Sequence, residues 1–322
     1  MQTRRLGCTD LELSVIGLGT WAIGGDGWAF AWGAQDDADS VRSIHEALAH
    51  GINWIDTAAI YGNGHSEVVV GQALKEWDSE VVIATKCGRL PNGAGRPLAC
   101  IKRDSIMKEC EASLQRLGVD VIDLYQMHWP QPDEDVEEAF EAMLALKRQG
   151  KIRWAGVSNF SATQLDRVLA LGEVASLQPP YSLINRSAES DGLAWCREHQ
   201  CGAIVYSPMQ CGLLTGKVTK AWVEALPDDD WRKTKNPFFQ EPQLSKHLAL
   251  VEALKEMAAQ SEHTVGQLAV AWTLARPEVT AAIVGARQPG QISGITPAGD
   301  WQLNDDAMAF IDELVVIADR DF

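Results

Sequence analysis

The fold class predicted is α/β, a (β/α)8 (TIM) barrel with long βα loops, and three observations predict it. Short apolar runs recur along the chain, each followed by an amphipathic stretch. Eight such pairs fit within 322 residues, and no Gly-x-Gly-x-x-Gly turn follows the first run. An open doubly wound sheet for dinucleotides would favour that turn, whereas eight alternating units suit a closed barrel. At roughly 100–200 residues per domain the length allows two domains, but α/β barrels routinely exceed that as one. Residues 1–322 are therefore expected to form a single barrel domain.

The runs read as strands are Val15–Gly19, Asn53–Asp56, Val81–Thr85, Val121–Met127, Ile152–Val157, Ser176–Gln178, Ala203–Tyr206 and Ala281–Val284. Most are continuous and rich in Val and Ile, as parallel strands covered on both faces require. Between them, Val41, Ile44 and Leu48 share a helix face that starts near Asp36–Asp37 and stops before Gly51. Met107, Cys110, Leu114 and Leu117 repeat the spacing between Asp104 and Gly118. Val136, Ala139, Phe140, Met143 and Leu144 do so before Gly150. Two long aperiodic segments interrupt the alternation. One is Gly24–Gln35, and the other runs from about Met209 to Ser245. Loops of this length are usually functional or act as lids.

Composition narrows the class further. Lys and Arg number 28 against 44 Asp and Glu, for a net charge of −16. Such an anionic body excludes nucleic acid and an anionic membrane surface as main partners. No apolar stretch is long enough to span a bilayer. The start, Met1 to Arg5, lacks the apolar core of a signal peptide. Seven cysteines without a CxxC pair read as reduced thiols, so a cytoplasmic enzyme is expected.

In a barrel of this kind, functional residues sit where strands end. Strand two ends in Asp56, five residues before Tyr61; strand three ends in Thr85-Lys86; strand four runs into His128. Taken singly, each has an ordinary structural explanation. Together they make chemical sense. A tyrosine, with an ordinary pKa near 10, is a weak donor at neutral pH. A lysine ammonium beside it stabilises the phenolate, and a carboxylate keeps that lysine charged in an apolar pocket. His128 can orient a substrate oxygen. The set fits proton donation to a carbonyl that is receiving a hydride. No two His or Cys share ligand spacing, so no metal site is expected. Asp228-Asp229-Asp230 reads as a solvated turn.

These residues stand in motifs that resemble the aldo-keto reductases nearly end to end. The motifs are Arg5-Leu6-Gly7, Ile16-Gly17-Leu18-Gly19-Thr20-Trp21, Asp56-Thr57-Ala58-x-x-Tyr61-Gly62 and Thr85-Lys86. They continue with Ile122-Asp123-Leu124 and His128, Gly156-Val157-Ser158-Asn159-Phe160 and Tyr206-Ser207-Pro208. Gly212-Leu213-Leu214-Thr215-Gly216-Lys217 is similar to the branch holding bacterial general reductases and potassium-channel β subunits. The resemblance implies the barrel, a catalytic tetrad of Asp56, Tyr61, Lys86 and His128, and a nicotinamide cofactor without metal or flavin.

It also implies where that cofactor would lie. Ser158, Asn159 and Gln178 would hold the carboxamide, with Thr20, Trp21 and Asp56 nearby and Tyr206 stacked on the ring. Backbone from Ser207 through Pro208, Met209 and Gly212 to Leu213 would meet the pyrophosphate, with Lys217 as a local charge. Gly285, Arg287 and Gln291 would flank the adenosine end. The family's acidic and Asn positions against adenine are here Gly294 and Ile295, which implies a weaker grip. NADP(H) is favoured over NAD(H) on Arg287, helped by Arg232 or Lys235, because a guanidinium suits a phosphate monoester.

Twelve tryptophans are many for this length. Trp21, Trp28, Phe30, Trp32 and Trp129 are expected to line an apolar substrate pocket, while Trp54, Trp195 and Trp272 pack within elements. The expected substrate is a small carbonyl or alcohol. A cofactor-binding regulatory protein, like the channel β subunits, is the alternative. A Schiff-base aldolase built on Lys86 alone is disfavoured by its Asp, Tyr and His company. The residues set no oligomeric state.

Overall fold

The structure, a computed structural model, describes residues 1–28, 30–92, 97–228 and 230–320. Eight parallel strands pair in chain order around a closed barrel. They are β1 (Ile16–Gly19), β2 (Trp54–Asp56), β3 (Val82–Cys87), β4 (Ile122–Met127), β5 (Ile152–Ser158), β6 (Ser176–Gln178), β7 (Gly202–Tyr206) and β8 (Val279–Gly285). This is the (β/α)8 barrel that the apolar runs predict. β3 and β8 extend past the runs that mark them, since Lys86 and Val279 still pair in the ladder, with a shift of register at Thr280.

The strands are covered by α1 (Asp37–Ala49), α2 (His65–Lys75), α3 (Arg103–Leu117), α4 (Val136–Arg148), α5 (Ala162–Leu169), α6 (Ala194–His199), α7 (Gln243–Gln260), α8 (Val265–Leu274) and α9 (Asp305–Arg320). The start and stop signals work as read. Asp36 caps α1 by accepting from Asp39 N at 2.8 Å, and Gly118 ends α3 with a φ of 69° that suits a residue without Cβ. The apolar faces of these helices pack on the outside of the barrel, with Ile44, Cys110, Leu117, Phe140 and Met143 all buried.

Inside the barrel the alternation of strands decides what is deep and what reaches the mouth. Trp54, Ala84, Leu124, Ile204 and Ala281 form an apolar layer near the strand starts, joined by Leu6, Leu11 and Leu13. Those leucines come from an antiparallel hairpin, Thr3–Arg5 with Glu12–Ser14, that plugs the N-terminal mouth. Trp54 Nε1 donates to Ser14 O at 2.9 Å and ties plug to barrel. The hairpin escapes the sequence reading because its strands are three residues each and carry no apolar run.

The segment from 209 to 245 is not featureless. It holds short turns of helix at Gln210–Thr215, Lys220–Glu224, Trp231–Thr234 and Pro237–Phe239 before α7 begins. Thr219, Asp230 and Asn236 each cap the turn that follows. Turns this short show no periodicity, so local capping is the only trace they leave in sequence. Lys233 pairs with Asp228, and Asp230 with Arg232; Asp229 lies outside the described residues. Among the described residues, no helix is long and apolar enough to cross a membrane.

Candidate active site

Period-two alternation carries three strands into one corner of the C-terminal mouth. Trp54 points inward on β2, so Asp56 does too; Ala84 points inward on β3, so Lys86 does; Leu124 points inward on β4, so Gln126 does. Asp56 lies level with Ala84, and Lys86 with Gln126. Lys86 is therefore one step nearer the mouth than Asp56 and reaches it diagonally.

Its ammonium, fully buried, spends all three protons. It donates to Asp56 Oδ1 at 2.5 Å, to Thr57 O at 3.0 Å and to Tyr61 Oη at 3.3 Å. Asp56 Oδ2 accepts from Gln178 Nε2 at 2.8 Å and Gln126 Nε2 at 3.4 Å. A buried ion pair holds only when the remaining lone pairs are satisfied, and the two glutamines satisfy them here. Gln126 is missing from the sequence reading. Its signal is a polar residue at an inward position of an apolar strand, two before His128.

Tyr61 comes from the turn after β2. That turn, Tyr61–Gly64, backs onto the turn Trp21–Gly24 after β1. Gly62 sits at φ 58°, and a Cβ there would lie 2.1 Å from Gly24 O, so only glycine permits the approach. The contact lays the Trp21 ring on Tyr61 with centroids 6.0 Å apart and planes 16° from parallel. His128 meets the other side of Tyr61 edge-on at 5.8 Å.

Burial governs the protonation of this corner. It pushes the Tyr61 phenol well above 10, with the Asp56 charge adding to the effect. The ammonium of Lys86 was expected to lower that value; in the free site its charge is already spent on Asp56, and desolvation wins. Burial also holds Lys86 below its ordinary 10.5, against the opposing pull of Asp56. His128 falls well below 6.5 through burial, then through Lys86 and Arg89, so its ring is neutral. His128 Nδ1 is buried without a partner among the described residues.

The expected cofactor side chains gather beside this corner. Ser158 Oγ donates to Gln178 O at 2.8 Å, and Asn159 Nδ2 donates to Ser158 Oγ at 2.9 Å and His128 O at 3.0 Å. Tyr206 Oη donates to Asn159 Oδ1 at 2.9 Å. Asn159 and Ser207 adopt left-handed φ of 62° and 59°, which turn the chain sharply at the mouth. Thr20 is buried under the corner, its Oγ1 donating to Asp56 O at 3.1 Å. Along the expected pyrophosphate stretch, the amides of Gln210 and Gly212 already bond Ser207 O and Met209 O. Pro208 and Leu213 are buried beside them, Lys217 is exposed, and Gly285 closes β8 against Gly19. Gln291 Oε1 accepts from the backbone of Arg287 at 2.7 Å and so shapes its own loop. Ile295 packs against the core.

The aromatic residues divide. Trp21 contacts Trp28, Phe30 and Trp32, with centroids 6.1, 6.4 and 6.2 Å away. Trp231, from the long segment, stacks on Trp21 at 6.2 Å and 9°, a member the sequence reading lacks. Trp129 stands apart from this cluster, 38% exposed with the Arg89 guanidinium over its ring. Arg232 is buried against Asp230 and lies 4.6 Å from the Trp32 ring.

A family model described as "Aldo/keto reductase family" matches residues 15–316. The chain belongs to that family. "Aldo-keto reductase YhdN" of Bacillus subtilis (strain 168) is 40% identical over 94% of this chain and 90% of its own length. An "NADH-specific methylglyoxal reductase" of Escherichia coli (strain K12) is 37% identical, covering 98% of both chains. Among solved structures, the glycerol dehydrogenase AKR11B4 from Gluconobacter oxydans superposes with a TM-score of 0.90 at 39% identity, over 98% of this chain and 95% of that one. The aldo/keto reductase barrel here is thus shared with oxidoreductases along essentially its whole length.

Proposed function

We propose that the chain is a nicotinamide-dependent oxidoreductase that reversibly reduces a small aldehyde or ketone to an alcohol, within one barrel domain. The observation that carries the reading is Lys86, whose buried ammonium joins Asp56 to the Tyr61 hydroxyl. A protonated, desolvated phenol beside a neutral imidazole is a donor pair aimed at one oxygen. In this reading Tyr61 gives its proton to the substrate oxygen, and the adjacent Lys86 stabilises the phenolate that remains. His128 Nε2 orients that oxygen, and Gln126 with Gln178 keeps Asp56 in place against Lys86. In the oxidative direction the same phenolate takes the proton back.

The residues fit a nicotinamide. Gln178 donates through its amide nitrogen to Asp56, while its Oε1 accepts no protein bond among the described residues and suits a carboxamide N–H. Tyr206 offers a ring face braced through Asn159. Bound there, the cofactor supplies the hydride. Ser158, Asn159 and Gln178 would hold its carboxamide, Ser207 to Leu213 and Lys217 its pyrophosphate, and Gly285, Arg287 and Gln291 its adenosine end. Preference for NADP(H) over NAD(H) rests on Arg287 and requires its guanidinium to leave the partners described below. The Trp21, Trp28, Phe30, Trp32 and Trp231 cluster makes the apolar wall of the substrate pocket. Carbonyl substrates in the class of the relatives' methylglyoxal, and alcohols in the class of glycerol, are the first to try. Initial rates with short aldehydes, ketones and polyols, using each cofactor, test the reading. Turnover that Tyr61→Phe abolishes supports it; none with any pair replaces it by a cofactor-binding regulatory protein.

A further inference from the structure

Arg287 lies two residues past the end of β8, at the position where a phosphate ligand is expected, yet all three nitrogens of its guanidinium are engaged elsewhere. Nη1 donates to Trp32 O at 2.9 Å, Nη2 to Ala34 O at 2.7 Å and Nε to Gln35 Oε1 at 3.0 Å. Gln35 Nε2 returns a bond to Arg287 O at 2.6 Å. The clamp joins two loops more than 250 residues apart in sequence.

The first half of the loop it grips is tied by Trp21 Nε1, which donates to Phe30 O at 2.9 Å, and by Trp28 Nε1, which donates to Gly25 O at 3.0 Å. The second half has no such bond of its own among the described residues. Gly25, Gly27 and Gly33 take positive φ, and a Cβ on any of them would meet nothing within 4 Å. Among the described residues Trp32 Nε1 is buried without a partner, a loss of hydration that the loop must absorb in this position. Among the described residues the amides of Trp32 to Gln35 make no backbone hydrogen bond, so this stretch relies on ties from outside it. Arg232, itself fixed by Asp230, contributes by lying over the Trp32 ring; Arg287 contributes the hydrogen bonds. Bonds from a charged fork to carbonyls are stronger and more directional than neutral ones.

We infer that Arg287 is a positioning residue for the aromatic loop: by fixing the backbone of Trp32 to Gln35 it holds the wall of the substrate pocket over Tyr61. The role belongs to the substrate side of the site, apart from any phosphate. It rests on the proposed function only for its kinetic consequence.

The test is hydrogen–deuterium exchange over residues 30–35 of the full chain without cofactor, in wild type, Arg287→Ala and Arg287→Lys. Loss of these charge-assisted bonds should speed exchange there about tenfold in Arg287→Ala, with partial recovery in Arg287→Lys. In steady-state kinetics with saturating NADH, which has no 2′-phosphate to draw Arg287 off the loop, KM for a short aldehyde should rise about tenfold. Unchanged exchange in Arg287→Ala overturns the inference, all the more if NADP+ affinity falls selectively, the mark of a phosphate ligand alone. Faster exchange with an unchanged KM overturns the pocket-setting role. Should Arg287→Ala not fold, Gln35→Ala removes the two side-chain bonds of the clamp and leaves those to Trp32 O and Ala34 O, so a smaller rise in exchange is expected, and none at all is equally contrary. Absence of turnover in wild type would strike the proposed function, while the exchange result would still decide the clamp.

Discussion

The Asp56–Tyr61–Lys86–His128 corner and the loop after β8 share one barrel mouth but are held in different ways. In the corner, strand register places Asp56, Lys86, Gln126 and Gln178, which converge from four strands of one barrel: Lys86 on Asp56, Asp56 on Gln126 and Gln178. In the loop, Arg287 is held by Trp32, Ala34 and Gln35, from a segment that no ladder connects to it. A strand-end residue inherits its geometry from the sheet, so its type and spacing already say what it can reach. A loop residue gets its partners from whichever loop folds over it, and there residue type says only what it could bind.

The largest break in that contrast should come from Lys86→Met. Removing the ammonium takes away the group that stabilises the Tyr61 phenolate, and kcat should fall about 10²- to 10⁴-fold, the usual range for an acid–base contribution. Steady-state rates over a pH series check it. A loss below tenfold would mean that Lys86 is only structural.

Asp56→Asn tests the corner as a folded unit. It leaves a buried ammonium without its counter-ion, which costs about 3–5 kcal/mol of stability. Urea denaturation reads it, with a smaller effect expected for any single member of the Arg287 clamp. Gln126→Leu should be milder. It removes one brace on Asp56 Oδ2, and kcat/KM should drop roughly tenfold with the fold retained.

The smallest effects concern pH. His128 has a folded-state pKa well below 6.5, so it contributes stability present above about 6.5 and lost as pH falls toward the folded value. Melting temperature should decline in that acidic window, and His128→Gln should flatten the decline. Glu109, behind β3, accepts from Gly88 N at 2.9 Å and Ser105 Oγ at 2.9 Å, and burial pushes its carboxyl up to about 7. Its sign is opposite. The contribution is complete below 4.5 and lost as pH rises through 7. Glu109→Gln should therefore gain on wild type above neutrality and converge with it in acid. Parallel curves would remove Glu109 from the account.

Much of the barrel was legible in the sequence because buried parallel strands need continuous apolar runs, and these mark most of the eight. The corner was legible because Asp56, Tyr61, Lys86 and His128 make chemical sense as a set, although each alone has an ordinary structural explanation. Gln126 was readable by the same alternation that places Lys86, though an amide draws less notice than a charge. What sequence could not carry is the hairpin plug, whose leucines form no run, and the meeting of loops. Trp129, expected in the pocket through adjacency to His128, has the Arg89 guanidinium over its ring, a meeting that adjacency in sequence does not foretell. Trp231 reaches Trp21 only because the Asp230 cap and the Arg232 pair fix its turn.

The central claim is that Tyr61 supplies the proton to a carbonyl that receives a hydride. It is tested most directly by single-turnover oxidation of NADPH or NADH with a short aldehyde, comparing wild type with Tyr61→Phe. Cofactor affinity is measured alongside by fluorescence. The account predicts a loss of about 10²-fold or more in the single-turnover rate with cofactor affinity unchanged. A Tyr61→Phe protein that oxidises the cofactor at the wild-type rate would contradict it.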